Sequence, residues 1–211
     1  FYGPVDRMAI FALLPSYLER EGSSLIYMAD RLIRQGGGGF YLHDHDALLR
    51  DLHAHRGPKI LLGVSYALWD LADRKPGPLP ETIVMETGGM KGRRREMPRE
   101  EFHRMLCAAF SVPSIHSEYG MAELMSQAYS QGDGLFRTPP WMRVLTRDLN
   151  DPFAWAGSGR SGGINVIDLA NVYSCSFLQT QDFGKAYDDG TFRIEGRITG
   201  SEIRGCNLLV Q

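Results

Sequence analysis

The stretch from Pro58 to Arg74, "PKILLGVSYALWDLADR", decides the fold. Its first half is a short apolar run opened by proline. Its second half places Leu, Trp, Leu and Ala at helical spacing. A strand that runs directly into a helix is half of a βαβ unit, and the same alternation recurs on both sides. Upstream, "MAIFALLP" reads as a buried strand stopped by Pro15. "SSLIYMADRLIR" reads as a helix ending at the glycines Gly36 to Gly39, "GFYLH" as a strand, and "DHDALLRDLHAHRG" as a helix with Asp44 as N-cap and Gly57 as stop. Downstream, "ETIVMETGG" is a strand and "PREEFHRMLCAAF" a helix with Pro98 in its first turn. "SIHSEYG" returns to the sheet, and "MAELMSQAYS" is expected to leave it as a helix.

After Gly132 the texture changes. "PPWMRVLTRDL", "GGINVIDL", "SFLQTQDFG" and "GTFRIEGRI" are short strands between Gly, Asp, Asn and Pro turns. The expected fold class is therefore α/β: a largely parallel sheet with flanking helices, followed by a smaller mixed or antiparallel β subdomain. The expected division is residues 1–135 for the α/β part and 136–211 for the β-rich part, ending in a short C-terminal tail.

Composition narrows the function classes. The 211 residues are 43% hydrophobic and 23% charged with a net charge of −2, the balance of a globular protein with no electrostatic bias toward nucleic acid or a membrane surface. The basic cluster "KGRRREMPREE" carries its own acids. Cys107, Cys175 and Cys206 form no CxxC pair, which argues for a reducing, cytoplasmic setting and against a disulfide framework. No apolar run approaches the ~20 residues of a membrane span. The chain opens at Phe1-Tyr2-Gly3 without a basic leader, which reads as a fragment beginning inside a longer protein.

Ligands of open α/β sheets sit at the carboxyl ends of the strands, and three such ends carry unusual chemistry. "METGGMKG" places Gly88 and Gly89 after a strong β run, where backbone N–H groups can face a ligand. It lacks the Ser or Thr after Lys91 that a complete phosphate loop requires. "GVSYA" is one residue short of a nucleophile elbow at Ser65. Asp148 or Asp168 could be the acid of a serine hydrolase, but His103 and His116 precede both and break the usual order. Ser65 is expected instead to cap the following helix. The histidines His43, His45, His53 and His55 show no metal-ligand spacing and read as solvated helix residues.

The third end, "HSEYGMAEL", joins Tyr119, Gly120 and Glu123. A tyrosine at a strand end can stack on a flat ring, and an acid in the first turn of a helix lies where phosphates and Mg²⁺ gather. Alone, this fits a core tyrosine and a helix-start acid equally well. Downstream, Thr180-x-Asp182 and Gly196-Arg197 flank a turn at Asp189-Gly190. Asp182 suits ribose hydroxyls, and Arg197 suits the same sugar or a phosphate.

Tyr119-Gly120-x-x-Glu123, Thr180-x-Asp182 and Gly196-Arg197, in that order, resemble the motifs of the acyl-adenylate-forming superfamily. "ALLPSYLER", "METGGMKGRR", "IHSEYGMAEL", "PPWMRVL" and "SEIRGCNLL" further resemble the acyl-protein synthetases, the luciferin-component ligases of bacterial luminescence. The resemblance implies an ATP- and Mg-dependent ligase that converts a fatty acid to acyl-AMP and passes the acyl group to a thiol, with an acyl-acceptor or reductase protein as partner. It implies that Tyr119 and Gly120 pack near adenine and that Gly88 and Gly89 line the adenine and acyl pocket. It further implies that Glu123 holds Mg²⁺, Asp182 the ribose, Arg197 the ribose at a hinge, and that Cys206, beside Arg204, accepts the acyl group. Ala122 and Gln181 depart from the usual Thr and Gly, and the superfamily's phosphate loop is expected upstream of Phe1. Without that loop, the alternative is a non-catalytic adenylate-binding module.

Overall fold

The computed structural model describes residues 1–15, 22–90, 93–95, 97–151 and 153–198. The α/β class expected from sequence is the observed one, with parallel strands first and antiparallel strands later. By compactness the chain divides into two units, Phe1–His116 and a second that begins at Ser117.

In the first unit the strands β1 (Ala9–Leu13), β2 (Gly38–Phe40), β3 (Lys59–Val64) and β4 (Thr82–Thr87) lie parallel in the order β2-β1-β3-β4. Every residue of β1 and β3 is buried, as in a parallel strand covered on both faces. The covering helices are α1 (Ser24–Gly36), α2 (His45–Ala54), α3 (Ser65–Asp73) and α4 (Arg99–Phe110). Asp44 caps α2 as expected, accepting from the Ala47 N–H at 2.9 Å. The glycine run has a packing reason. A Cβ at Gly36 would strike the carbonyls of Val5 and Met8, and one at Gly38 that of Ile10. Only glycine lets the end of α1 come that close to the segment before β1, and β2 that close to β1.

Ser65 does not cap α3: Val64 occupies the cap position, and Ser65 is the first helical residue. Its hydroxyl is engaged elsewhere, as described below.

The second unit is antiparallel. Its order runs from β5 (Ile115–Tyr119, which crosses the boundary) through β6 (Ala128–Ser130), β7 (Phe136–Arg137), β11 (Phe192–Arg197), β10 (Phe177–Ala186) and β9 (Ser161–Asp168) to β8 (Met142–Arg147). Its core is aromatic. Phe136 and Phe192 stack at 5.2 Å between ring centroids, and Tyr119 meets both edge-on at 5.9 and 5.4 Å. The β10–β11 hairpin turns at Asp189-Gly190, where Gly190 has φ +83° and Asp189 Oδ1 accepts from the Thr191 N–H and hydroxyl.

The helix expected over "MAELMSQAYS" is absent. Residues 121–127 form turns and extended chain, and the last three residues are strand β6. The local preference of Met, Ala, Glu and Leu for helix is overridden by Asp168. Its carboxylate draws the Met125 and Ser126 N–H groups to itself at 2.9 Å each, so they cannot join a helical ladder.

Candidate functional site

Strand pairing in the second unit brings three of the expected residues together. Asp182 on β10 and Arg197 on β11 are direct register partners. Tyr119, at the end of β5, donates its hydroxyl to Asp182 Oδ2 at 2.7 Å. Arg197 Nε lies 3.9 Å from Asp182 Oδ1, and Arg197 Nη2 donates to Gln181 Oε1 at 2.6 Å. Asp182 and Arg197 are 8% and 7% exposed, so their mutual attraction acts in a poorly solvated place. The Arg197 Nε–H is buried and has no hydrogen-bond partner among the described residues, a donor that a ligand oxygen could satisfy. Thr180 stiffens the strand from below: its hydroxyl donates to the Ile164 carbonyl at 2.8 Å and accepts from the Asp182 N–H at 3.1 Å.

Tyr119 itself is a core residue, 7% exposed, its ring fixed by Phe136 and Phe192. What it offers a ligand is a rigid wall whose hydroxyl end is tied to Asp182. Gly120 follows it, half-buried, at the start of the turn. Glu123 lies exposed in that turn, closed by the Leu124 N–H to the Met121 carbonyl at 3.1 Å. Because no helix starts there, the helix-dipole reason for placing a phosphate or metal at Glu123 falls away. Its carboxylate and its position, four residues after Tyr119 and three after Gly120, remain.

No model of a known protein family matches the chain. Over 137 residues, 60% of the chain, it is 26% identical to the long-chain-fatty-acid–luciferin-component ligase of Vibrio harveyi, 35% of which is covered. Among solved structures, ATP-bound MatB from Rhodopseudomonas palustris superposes with a TM-score of 0.63 at 18% identity, covering 92% of this chain and 40% of that one. A long-chain-fatty-acid-CoA ligase from Archaeoglobus fulgidus gives a TM-score of 0.64 at 15% identity, covering 93% and 45%. The chain has the fold of the acyl-adenylate-forming enzymes. It spans about a third of the curated relative it matches and under half of these structures.

Within that adenylate-forming fold, the first unit holds the other strand end singled out from sequence. Gly88, at φ +71°, and Gly89 follow β4, both half-buried. The Gly88 carbonyl accepts from the Ser65 hydroxyl at 3.4 Å. Beside them lies a buried network that sequence reasoning missed. Glu86, 7% exposed, accepts from Ser65 Oγ at 2.8 Å through Oε2, pairs with His103 Nε2 at 3.0 Å through Oε1, and has Arg99 Nε 3.6 Å away. Burial alone would push the Glu86 carboxyl up. The His103 hydrogen bond, the Arg99 charge and the Ser65 hydroxyl outweigh it and hold the group down at about 2. The signal was available: Arg99 and His103 sit four apart in α4, so both reach one point on its face.

This geometry gives the hydrolase reading no support. Ser65 donates to a carboxylate held at about 2, which is a poor base for activating a nucleophile. His103 is bound to Glu86, and His116 Nδ1 to the Tyr2 hydroxyl at 3.0 Å. Among the described residues, no three His, Cys, Asp or Glu side chains are grouped to hold a metal. His53, read as a solvated helix residue, bonds through Nδ1 to the Leu49 carbonyl one turn back.

A second missed residue is Arg147, 5% exposed, which donates to the carbonyls of Ile164 and Thr180 and to Asn165 Oδ1 at 2.7–3.1 Å. Its guanidinium fills the space over Gly163 where a side chain would otherwise stand. Desolvation pushes its pKa down. Arg147 thus braces the Thr180 segment that carries Asp182. Cys206, Arg204 and Lys91, named in the sequence reading, lie outside the described residues, as does the whole of "SEIRGCNLL".

Proposed function

We propose that the chain is the adenylate-binding part of an enzyme that activates a fatty or related carboxylic acid with ATP and hands the acyl group to a thiol. One observation carries this reading: Tyr119, Asp182 and Arg197, matched in order to the superfamily's motifs, form one buried cluster, Asp182 and Arg197 by strand register and Tyr119 by its hydroxyl on Asp182. The fold shared with adenylate-forming ligases and the 26% identity to the luciferin-component ligase support it.

In this assignment Asp182 accepts the ribose hydroxyls. A carboxylate has about four lone-pair positions, so accepting from Tyr119 leaves capacity for them. Arg197 donates its buried Nε–H to the sugar or a phosphate oxygen. Tyr119 backs the adenine as a rigid wall, with Gly120 allowing close approach. Mg²⁺ usually takes one or two protein carboxylates and completes its shell with phosphates and water, and the exposed Glu123 fits the part of a single carboxylate. A cation bound there would offset the phosphate charge. The acid's carboxylate attacks the α-phosphate, the α–β bond breaks, pyrophosphate leaves, and acyl-AMP remains. A thiolate then displaces AMP from the acyl carbon. Cys206 is the proposed acceptor within the chain, and an acyl-acceptor or reductase protein the onward partner. Among the described residues no helix is long and apolar enough to cross a membrane, and a free-thiol acceptor suits the reducing cytoplasm.

Labelled fatty acid plus ATP tests the reading. The expected result is protein labelling released by hydroxylamine and lost in Cys206→Ser. Adenosine binding without any acyl labelling would favour the non-catalytic module instead.

A further inference from the structure

The turn that carries Glu123 is clasped by residues some 45 positions later in the chain, and none of the nucleotide assignments uses them. Asp168, fully buried at the end of β9, accepts from the Met125 and Ser126 N–H groups at 2.9 Å each and from the Ser126 hydroxyl at 2.7 Å. Trp141 Nε1 donates to the same hydroxyl at 2.9 Å. The Ala170 N–H returns to Asp168 Oδ1 at 3.1 Å, folding the following loop back onto the carboxylate.

Asn171 completes the clasp. It is 5% exposed, and its side-chain amide bridges two backbone carbonyls, Glu123 at 2.8 Å and Cys175 at 2.9 Å. Both N–H donors of one planar group are thereby used, which fixes the Glu123 carbonyl relative to the loop. The Asn171 backbone carbonyl is itself held by the Ser176 hydroxyl at 3.1 Å. A turn that lacks helical hydrogen bonds has its backbone fixed by a dedicated set of side chains instead. Immediately beside those anchors, Glu123 remains exposed to solvent.

We propose that Asn171, backed by Asp168, is a positioning residue for Glu123: the loop 168–176 sets where that carboxylate meets the magnesium–phosphate end of the bound nucleotide. The inference rests on the proposed role of Glu123. Groups one step removed from a metal ligand typically change metal affinity about 10–100-fold when lost. Asn171 acts on the backbone of its ligand, so the lower end of that range applies.

The test measures equilibrium binding of Mg·ATP and of adenosine to the intact protein, with thermal melting to confirm folding. Asn171→Ala should weaken Mg·ATP about tenfold and leave adenosine within about twofold. Ser176→Ala, which removes only the brace on Asn171, should shift Mg·ATP in the same direction by less, and it decides the matter if Asn171→Ala does not fold. Equal weakening of both ligands, or no change in a folded variant, would overturn the positioning role. Glu123→Gln separates the two levels. If it discriminates Mg·ATP from adenosine while the Asn171 and Ser176 variants do not, this inference alone fails. If Glu123→Gln itself does not discriminate, the metal role of Glu123 fails and the inference falls with it.

Discussion

Lowering the pH should unlock the first unit through Glu86. Its carboxyl is held at about 2 against an ordinary value of 4.5. Burial opposes ionisation, but the His103 hydrogen bond, the Arg99 charge and the Ser65 hydroxyl prevail. A depressed carboxylate stabilises the folded state fully above its unfolded pKa and loses that contribution as pH falls toward the folded value. The window therefore runs from about 4.5 down to about 2. At about 1.4 kcal/mol per pH unit, the difference amounts to about 3 kcal/mol, a large part of a typical domain's stability. Trp69 of α3, whose ring packs on Phe102 of α4 at 6.1 Å, is a local reporter. Urea unfolding followed by its fluorescence, with Trp141 and Trp155 replaced by Phe, should be run from pH 7 to pH 2 for Glu86 and Glu86→Gln proteins. The Gln variant should be less stable at pH 7, because His103 and Arg99 lose their counter-charge. Its profile should then be flatter by about 3 kcal/mol across the window, since the other carboxylates titrate alike in both proteins. Parallel profiles for the two proteins would refute the reasoning.

Three further outcomes follow from the second unit and the tail. Asp182→Asn removes the charge that faces Tyr119 and Arg197 and should weaken adenosine binding about thirtyfold, the equivalent of about 2 kcal/mol for a charged hydrogen bond; titration calorimetry checks it. Phe192→Ala empties the centre of the aromatic cluster, where Phe192 is 0% exposed, and should cost about 3–5 kcal/mol in denaturant unfolding. Cys206→Ser should abolish hydroxylamine-sensitive acyl labelling while leaving nucleotide binding unchanged.

The strands were legible because their burial is written into composition. "AIFAL" and "KILLGV" are apolar throughout since both faces of β1 and β3 are covered. Asp182 and Arg197 were legible as an ordered pair of motifs, and strand register then made them neighbours. Three features were not. The stretch after Tyr119 is rich in helix formers, yet Asp168, some 40 residues away, takes its N–H groups. Ser65 has the form of a helix cap, but its hydroxyl finds the Glu86 carboxylate, 21 residues on. Glu86 itself read as one residue of a strand, because its burial and its partner His103, 17 residues further along, exist only after the chain has folded. In the first two cases a buried carboxylate overrode a local preference, since leaving it unpaired costs more than any propensity supplies.

The most direct measurement for the central claim is pyrophosphate exchange into ATP by the intact protein, with and without a long-chain fatty acid. An adenylate-forming enzyme should exchange label only when the acid is present, and Asp182→Asn should lose that exchange. Exchange that ignores the acid, or tight adenosine binding with no exchange under any carboxylic acid, would contradict the account.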